Sequence, residues 1–333
     1  MSNLKLAMIG AGRLSTRRIY PCLHLLPVDL VAVCDLDLSR ATEIGQRFGA
    51  KKIYSDHHEM LEKERPDAVI ICTGPAGHEK LSIDVMRAGS HAYTEKPPAV
   101  TFAGATAVYN ASQETGRICM TGFKKRFAPA YTKSKEAIES SEFGPLNLIS
   151  IDYACGPLYD NDPNDPTKQF LLDFCVHVLD LSRYLMGEVA SVYATTTDHL
   201  NYAVNLRFEN GSVGTIALSS NRDWGVSTEK VEVTGGPGQF LSVENSITMV
   251  RHSGPTIVDW NNPSFSTSAG DSMIETGFAG ELQEFCSSVL DERVPRSSIA
   301  ESMGTLKLYE MIVTSVNCGK VIDAASFAQE KQK

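Results

Sequence analysis

The chain has 333 residues, 42% of them hydrophobic and 21% charged, values ordinary for a soluble globular protein and enough for two domains. Asp and Glu number 40 against 31 Lys and Arg, and the net charge of −9 argues against nucleic acid or an anionic membrane as the main partner. The eight cysteines contain no CxxC pair and lie mostly in apolar runs such as LVAVCDL and AVIICTG, so they read as buried reduced thiols, not as a disulfide framework or a metal site.

No apolar run approaches the roughly 20 residues that span a bilayer. The opening LKLAMIGAG lacks the charged and apolar regions of a signal peptide, so a cytoplasmic protein is expected. The glycosylation patterns at Asn110 and Asn210 carry no weight without secretion.

In chain order, KLAMIG predicts a strand, followed by a glycine turn and a helical stretch to about His24. VDLVAVCDL predicts a second strand, and DLSRATEIGQRFG a helix that opens on an Asp or Ser cap and stops at Gly49. PDAVIICTG is a buried strand, HEKLSIDVMRAG a helix ending on Gly89, HAYTEK a strand, TFAGATAVYNASQETG a helix and RICMTGF a strand. This alternation predicts right-handed crossovers and a doubly wound parallel sheet over residues 1–123, an α/β dinucleotide-binding arrangement.

After about residue 125 the rhythm changes. FLLDFCVHVLDLSRYLMG reads as one helix, apolar nearly all round and therefore buried. EVASVYATTTDH, NYAVNLRFENGSVGTIALSSNR, EKVEVTG and GQFLSVENSITMVR alternate with a period of two, and ENGS marks a hairpin. They predict a large, mostly antiparallel sheet with helices on one face, hence a second α/β domain over 124–333. NNPSFSTSAGDS reads as a polar loop, and the last helices, from about Thr276, are expected to pack back across the molecule.

Four features carry chemistry. In Gly10-Ala11-Gly12-Arg13-Leu14-Ser15 the first glycine permits a tight turn, the second lets a pyrophosphate approach the backbone, and Ser15 takes a position that needs a small residue. Asp35 ends the second strand, where a carboxylate can bind the adenosine ribose hydroxyls. Lys96 precedes two prolines, which hold it in extended or turning backbone at a strand end. Asp173, His177 and Asp180 fall at i, i+4 and i+7, one face of an otherwise apolar helix, where a carboxylate can set a histidine's tautomer and raise its pKa.

In the order and spacing of GAGRLS, DAVIICTGPAGH, EKP, GFKKRF and DFCVHVLD, nearly the whole chain resembles the Gfo/Idh/MocA family, the glucose-fructose oxidoreductase and inositol dehydrogenase group. The resemblance implies a Rossmann domain followed by an α/β domain whose open-faced sheet is used for oligomerisation, so a homodimer or homotetramer is expected. It implies NAD, with NADP as the alternative, and hydride transfer to or from a secondary alcohol of a sugar, sugar derivative or cyclic polyol, with no metal. Gly10, Gly12, Arg13, Leu14 and Asp35 would bind the cofactor, Thr73, Pro75 and His78 would lie in the loop that passes it, and Glu95 would lie beside the nicotinamide ribose. Lys96 would contact both cofactor and substrate, Asp173 and His177 match the substrate-side motif, and Lys125 stands where many relatives have an arginine facing the substrate. On this reading Lys96, Asp173 and His177 are catalytic. Cys175 where relatives commonly have glycine, TGP in place of a TPN-like loop and Lys124 in place of asparagine are departures that leave the substrate open. The alternatives are a redox enzyme of the same fold acting on a dihydrodiol or tetrapyrrole, and a cofactor-binding regulator without turnover.

Overall fold

Short, mostly apolar runs form the first six strands: β1 (Leu4–Ile9), β2 (Val28–Cys34), β3 (Lys52–Tyr54), β4 (Ala68–Ile71), β5 (His91–Thr94) and β6 (Cys119–Thr121). In the computed structural model, which describes residues 3–162, 164–261 and 271–331, they pair in parallel in the order β3-β2-β1-β4-β5-β6. All four residues of β4 are buried, as a central parallel strand covered on both faces requires. Ala7, Ile9, Ala32, Val69, Ile71, Val85 and Val108 belong to one core between this sheet and its helices.

Local chemistry sets the helix ends. The Asp37 side chain accepts from Ser39 N and Arg40 N at the start of helix Leu38–Phe48, and Gly49, at φ 76°, stops it in the left-handed conformation. The predicted helical stretch after the glycine turn is present but irregular: Ser15–Ile19 is a widened π turn and Tyr20–Leu25 a tight 3-10 turn, with Pro21 supplying no N–H at their junction. One boundary needs correction. The next helix but two starts at Pro75, ahead of His78, because a proline at the first helical position has no N–H to leave unsatisfied.

The chain divides into two compact units, residues 1–124 with 278–306 and residues 125–277 with 307–333. The second holds β7 (Leu148–Ala154), β8 (Val189–Thr196), β9 (Asn201–Phe208), β10 (Val213–Ser219), β11 (Thr228–Thr234), β12 (Gln239–Glu244), β13 (Thr248–Ser253), β14 (Thr256–Asn261) and β15 (Ile322–Asp323). Their order is β14-β13-β12-β11-β7-β10-β9-β8-β15, antiparallel throughout except for the parallel pair β7 and β10. The period of two is literal on β9, where Tyr202, Val204, Leu206 and Phe208 are buried while Ala203, Asn205 and Arg207 are exposed. The ENGS turn joins β9 to β10, with Gly211 at φ 88° and Asn210 Oδ1 accepting from Ser212 N at 3.0 Å.

The predicted single helix FLLDFCVHVLDLSRYLMG is two helices, Phe170–Asp173 and Val176–Met186. At the break the Cys175 N–H reaches back to the Phe170 carbonyl at 3.1 Å, and the Val178 N–H closes a tight turn on the Cys175 carbonyl at 2.8 Å. The Phe174 ring at the break packs on Trp224, centroids 5.8 Å apart. Residues 262–270 of the predicted polar loop lie outside the described residues. Among the described residues no helix is long and apolar enough to cross a membrane.

Candidate active site

The turn after β1 is built around two glycines with different reasons for being there. A Cβ on Gly10, at φ 109°, would collide with the Cys72 carbonyl oxygen at the end of the neighbouring β4, so the fold itself demands glycine. A Cβ on Gly12 would meet no protein atom within 4 Å. Packing does not ask for glycine there; what its absence of a side chain provides is bare backbone facing open space, as a close-lying pyrophosphate needs. Ser15 is fully buried and its hydroxyl donates to the Gly12 carbonyl at 3.0 Å, so the departure from a third glycine braces the loop.

Asp35 follows β2. One of its oxygens accepts from Ala11 N at 2.8 Å, and the other accepts from Asp37 N and from the Arg40 guanidinium, both at 2.9 Å. Burial pushes this carboxyl up, but the Ala11 N–H, Arg40 and the Asp37 N–H outweigh it and hold the group below the usual carboxylate range. A carboxylate is therefore fixed in place, ionised, at the carboxyl edge of the parallel sheet.

Gly10, Gly12, Arg13, Leu14, Asp35 and Thr73 all line one cavity of about 690 Å³. It opens past the ends of β1, β2 and β4, where the strand order reverses and doubly wound sheets take ligands. The bare Gly12 backbone and the ionised Asp35 fit a dinucleotide. Arg40, Ser55, His57 and Lys80 also line this cavity and were not predicted as site residues. Ser55 and His57 follow β3, whose end shares the same edge, so strand order was the signal that could have found them. His57 is steadied by Asp84, Nε2 to Oδ2 3.0 Å.

Pro75, His78, Glu95 and Lys96 are not among the residues lining that cavity. His78 is buried, with Nδ1 2.7 Å from the Pro97 carbonyl and Nε2 3.1 Å from the Thr73 carbonyl. It ties the loop after β4 to the turn after β5. Lys96 lies in that turn, before a cis peptide bond to Pro97, and its N–H donates to the buried Glu95 carboxylate at 3.2 Å.

In the second unit, Lys125 is buried and paired with Glu229, which also accepts from Tyr131 and Ser246, each at 2.7 Å. Burial pushes Glu229 up, yet Lys125 and the two hydroxyls bring it below its ordinary range. The Lys125 ammonium stands 5.8 Å from the centre of the Tyr153 ring. Burial raises the Tyr153 hydroxyl, and Cys175, Cys155, Glu229 and Asp173 add to the rise, so Tyr153 shares its surroundings with two of the predicted residues' neighbours and with Asp173 itself. One tyrosine in an alternating strand carried no signal that could single it out. Asp173 and His177 sit on either side of the helix break, and Asp180 is claimed by Arg126 through two hydrogen bonds of 2.7 Å, both residues almost wholly buried.

Residues 4–123 match the model of an oxidoreductase family with an NAD-binding Rossmann fold, Gfo/Idh/MocA, and residues 135–323 match the C-terminal alpha/beta domain of the same family. Myo-inositol 2-dehydrogenase of Thermotoga maritima is 28% identical over 258 residues, 72% of this chain and 75% of that protein. The NAD(+)-dependent scyllo-inositol 2-dehydrogenase of Bacillus subtilis is 28% identical over 317 residues, 88% of each chain. An oxidoreductase of Agrobacterium radiobacter, solved with NAD+, L-tartaric acid and magnesium, superposes with a TM-score of 0.85 over 97% of this chain and 99% of its own, at 20% identity.

Proposed function

The chain belongs to the Gfo/Idh/MocA oxidoreductase family, and from that premise we propose that it is an NAD-dependent dehydrogenase that reversibly oxidises a secondary alcohol of a cyclic polyol, sugar or sugar derivative. The observation that carries the reading is the bare Gly12 backbone backed by the ionised Asp35 in one cavity. The two inositol dehydrogenases support the polyol class.

The nicotinamide, when bound, supplies the acceptor for the hydride. Asp35 accepts from the ribose 2′-hydroxyl and repels a 2′-phosphate, and Arg40, whose charge Asp35 already holds, offers that phosphate little, so NAD is preferred to NADP. Glu95 and Lys96 take the nicotinamide end. The Lys96 ammonium orients the substrate hydroxyl and supports the negative charge that develops on its oxygen. His177 Nδ1 or Nε2 takes the hydroxyl proton as general base, and Asp173 sets its tautomer or holds a neighbouring hydroxyl. Lys125, its charge balanced by Glu229, offers the substrate wall beside Tyr153 an N–H donor rather than net positive charge.

Absorbance of the reduced nicotinamide, followed across inositols, aldoses, sugar acids and dihydrodiols with NAD and with NADP, tests this. Turnover of a polyol or sugar is expected. Turnover confined to a dihydrodiol, or none with any secondary alcohol, would overturn the substrate class.

A further inference from the structure

The first unit buries two glutamates against one tyrosine at the end of β5: Glu95 is 4% exposed, while Glu281 and Tyr93 are fully or almost fully inaccessible. Glu281 lies one turn before Phe285 on helix Phe278–Leu290, and the Phe285 ring stands 5.8 Å from that of Tyr93, so this helix face turns toward the strand end. Gly122, after β6, shows how tight the packing is. A Cβ there would collide with the Tyr93 hydroxyl and lie 3.4 Å from Glu95 Cδ. The Tyr93 hydroxyl bears on the Glu281 carboxyl, yet it, Glu95 Oε1 and both Glu281 oxygens are buried without a protein partner at full hydrogen-bond geometry.

Two ionised carboxylates do not share a dry pocket without strong compensation. The charged and titratable groups facing the pair are few. Lys96 adjoins Glu95; Lys124 acts on both carboxyls but stands over the Phe278 ring, 4.5 Å from its centre. The Cys72 and Cys22 thiols are pushed up by burial, Cys22 to about 11, and Arg18 bears on Cys22. No cation hydrogen-bonds Glu281 among the described residues.

We propose that Glu281 is a positioning residue: it and Glu95 hold one proton in common beside Tyr93, so that a single negative charge faces Lys96 at the end of β5. Burial pushes Glu281 well above the usual carboxyl range and the Glu95 charge pushes it further, against Tyr93 and Lys124; burial also raises Glu95, against Lys96. The pair titrates as a unit. The consequence rests on the reading above that Glu95 and Lys96 lie at the nicotinamide. Loss of the shared proton as pH rises adds a second negative charge near the ring, which favours the cationic oxidised cofactor over the reduced one.

The infrared spectrum of the full chain without cofactor, at neutral pH, should contain the C=O stretch of an un-ionised carboxyl that shifts in D2O, and Glu281→Gln should lose it. Absence of the band from the wild type, or its survival in Glu281→Gln, overturns the proposal. Neither result depends on cofactor or substrate, so it stands apart from any failure of the oxidoreductase reading. The positioning role is read from the ratio of the NADH to the NAD+ dissociation constants across pH. It should rise about tenfold in the wild type, one pKa unit of coupling, and stay flat in Glu281→Gln. A flat wild-type ratio, or the same pH dependence in both proteins, overturns the role.

Discussion

At Asp35 one oxygen is taken by the Ala11 N–H and the other by Arg40 and the Asp37 N–H, so the carboxylate at the cavity is fixed before any ligand enters. Asp35→Ala removes the ribose partner and releases Arg40 together. NAD should bind about 10- to 100-fold more weakly, the loss of a charge-assisted hydrogen bond, while NADP gains from the freed guanidinium. Calorimetric titration of both cofactors checks this, and Asp35→Ala with Arg40→Ala should lose the NADP gain again. Lys96→Ala and His177→Ala should behave oppositely, losing about 10²- to 10⁴-fold in kcat with NAD affinity little changed. Near-normal turnover in either variant would remove that residue from the catalytic set. Residues whose backbone or spacing is unusual could be singled out in the sequence: Gly10, Gly12 and Asp35, which the structure brings to one cavity, and Lys96, which lies outside that lining in the turn after β5. Glu281 and Glu229 could not be, because a glutamate reads as surface until the fold shows what buries it.

At the scale of elements, both sheets were legible in outline, from mostly apolar runs in β1, β2 and β4 and alternation in β9 and β10, while β3, β7, β14 and β15 were not read. The helix break at Phe174 and Cys175 was not, since the apolar pattern runs through it and the contact that accompanies it, Phe174 on Trp224, is distant in sequence. The same blindness hid the Arg126–Asp180 pair, whose two hydrogen bonds anchor helix Val176–Met186. Asp180→Asn removes the carboxylate paired with the buried Arg126 guanidinium and should cost about 3–5 kcal/mol, read from denaturant unfolding. Helix Phe278–Leu290 carries a pH-dependent anchor at its middle, where Glu284 accepts from Arg293 at 2.9 Å and from Arg296 N at 3.0 Å, both beyond the helix end. Burial raises Glu284, but Arg293 and Arg296 outweigh it and bring it down to about 2. Because the folded value lies below the unfolded one, its contribution is present above the ordinary glutamate range and lost as pH falls through about 2. Thermal melts of Glu284→Gln should match the wild type more closely at the acid end than at neutral pH, and an unchanged gap across that range would refute the anchor.

For the whole molecule, the open question is what the second sheet's exposed face is for. Leu148 and Asp152 on β7, Tyr193 on β8, Ala203 and Asn205 on β9, and Val213, Thr215 and Ala217 on β10 are all exposed on the single chain. The adjoining alternate positions are buried, so the face is a consequence of alternation with one side left uncovered. We propose that a second copy of the chain covers it, giving a homodimer or a homotetramer. Its side chains are small or apolar at Ala203 and Ala217, which pair across β9 and β10, and at Val213 where β10 begins, with polar residues between them, a composition suited to close approach of two sheets. In a two-fold interface each residue is presented twice, so a charge placed near the axis meets its own copy. Val213→Glu with Ala217→Glu therefore puts like charges into a contact that needs about 1,000 Å² of complementary surface to hold. Light scattering at micromolar concentration should find the wild type as a dimer or tetramer and the double variant as a monomer. NAD affinity should be unchanged, because the cavity at Gly12 and Asp35 is built wholly by the first unit. A monomeric wild type would end the proposal, and an intact oligomer in the double variant would move the interface to another surface.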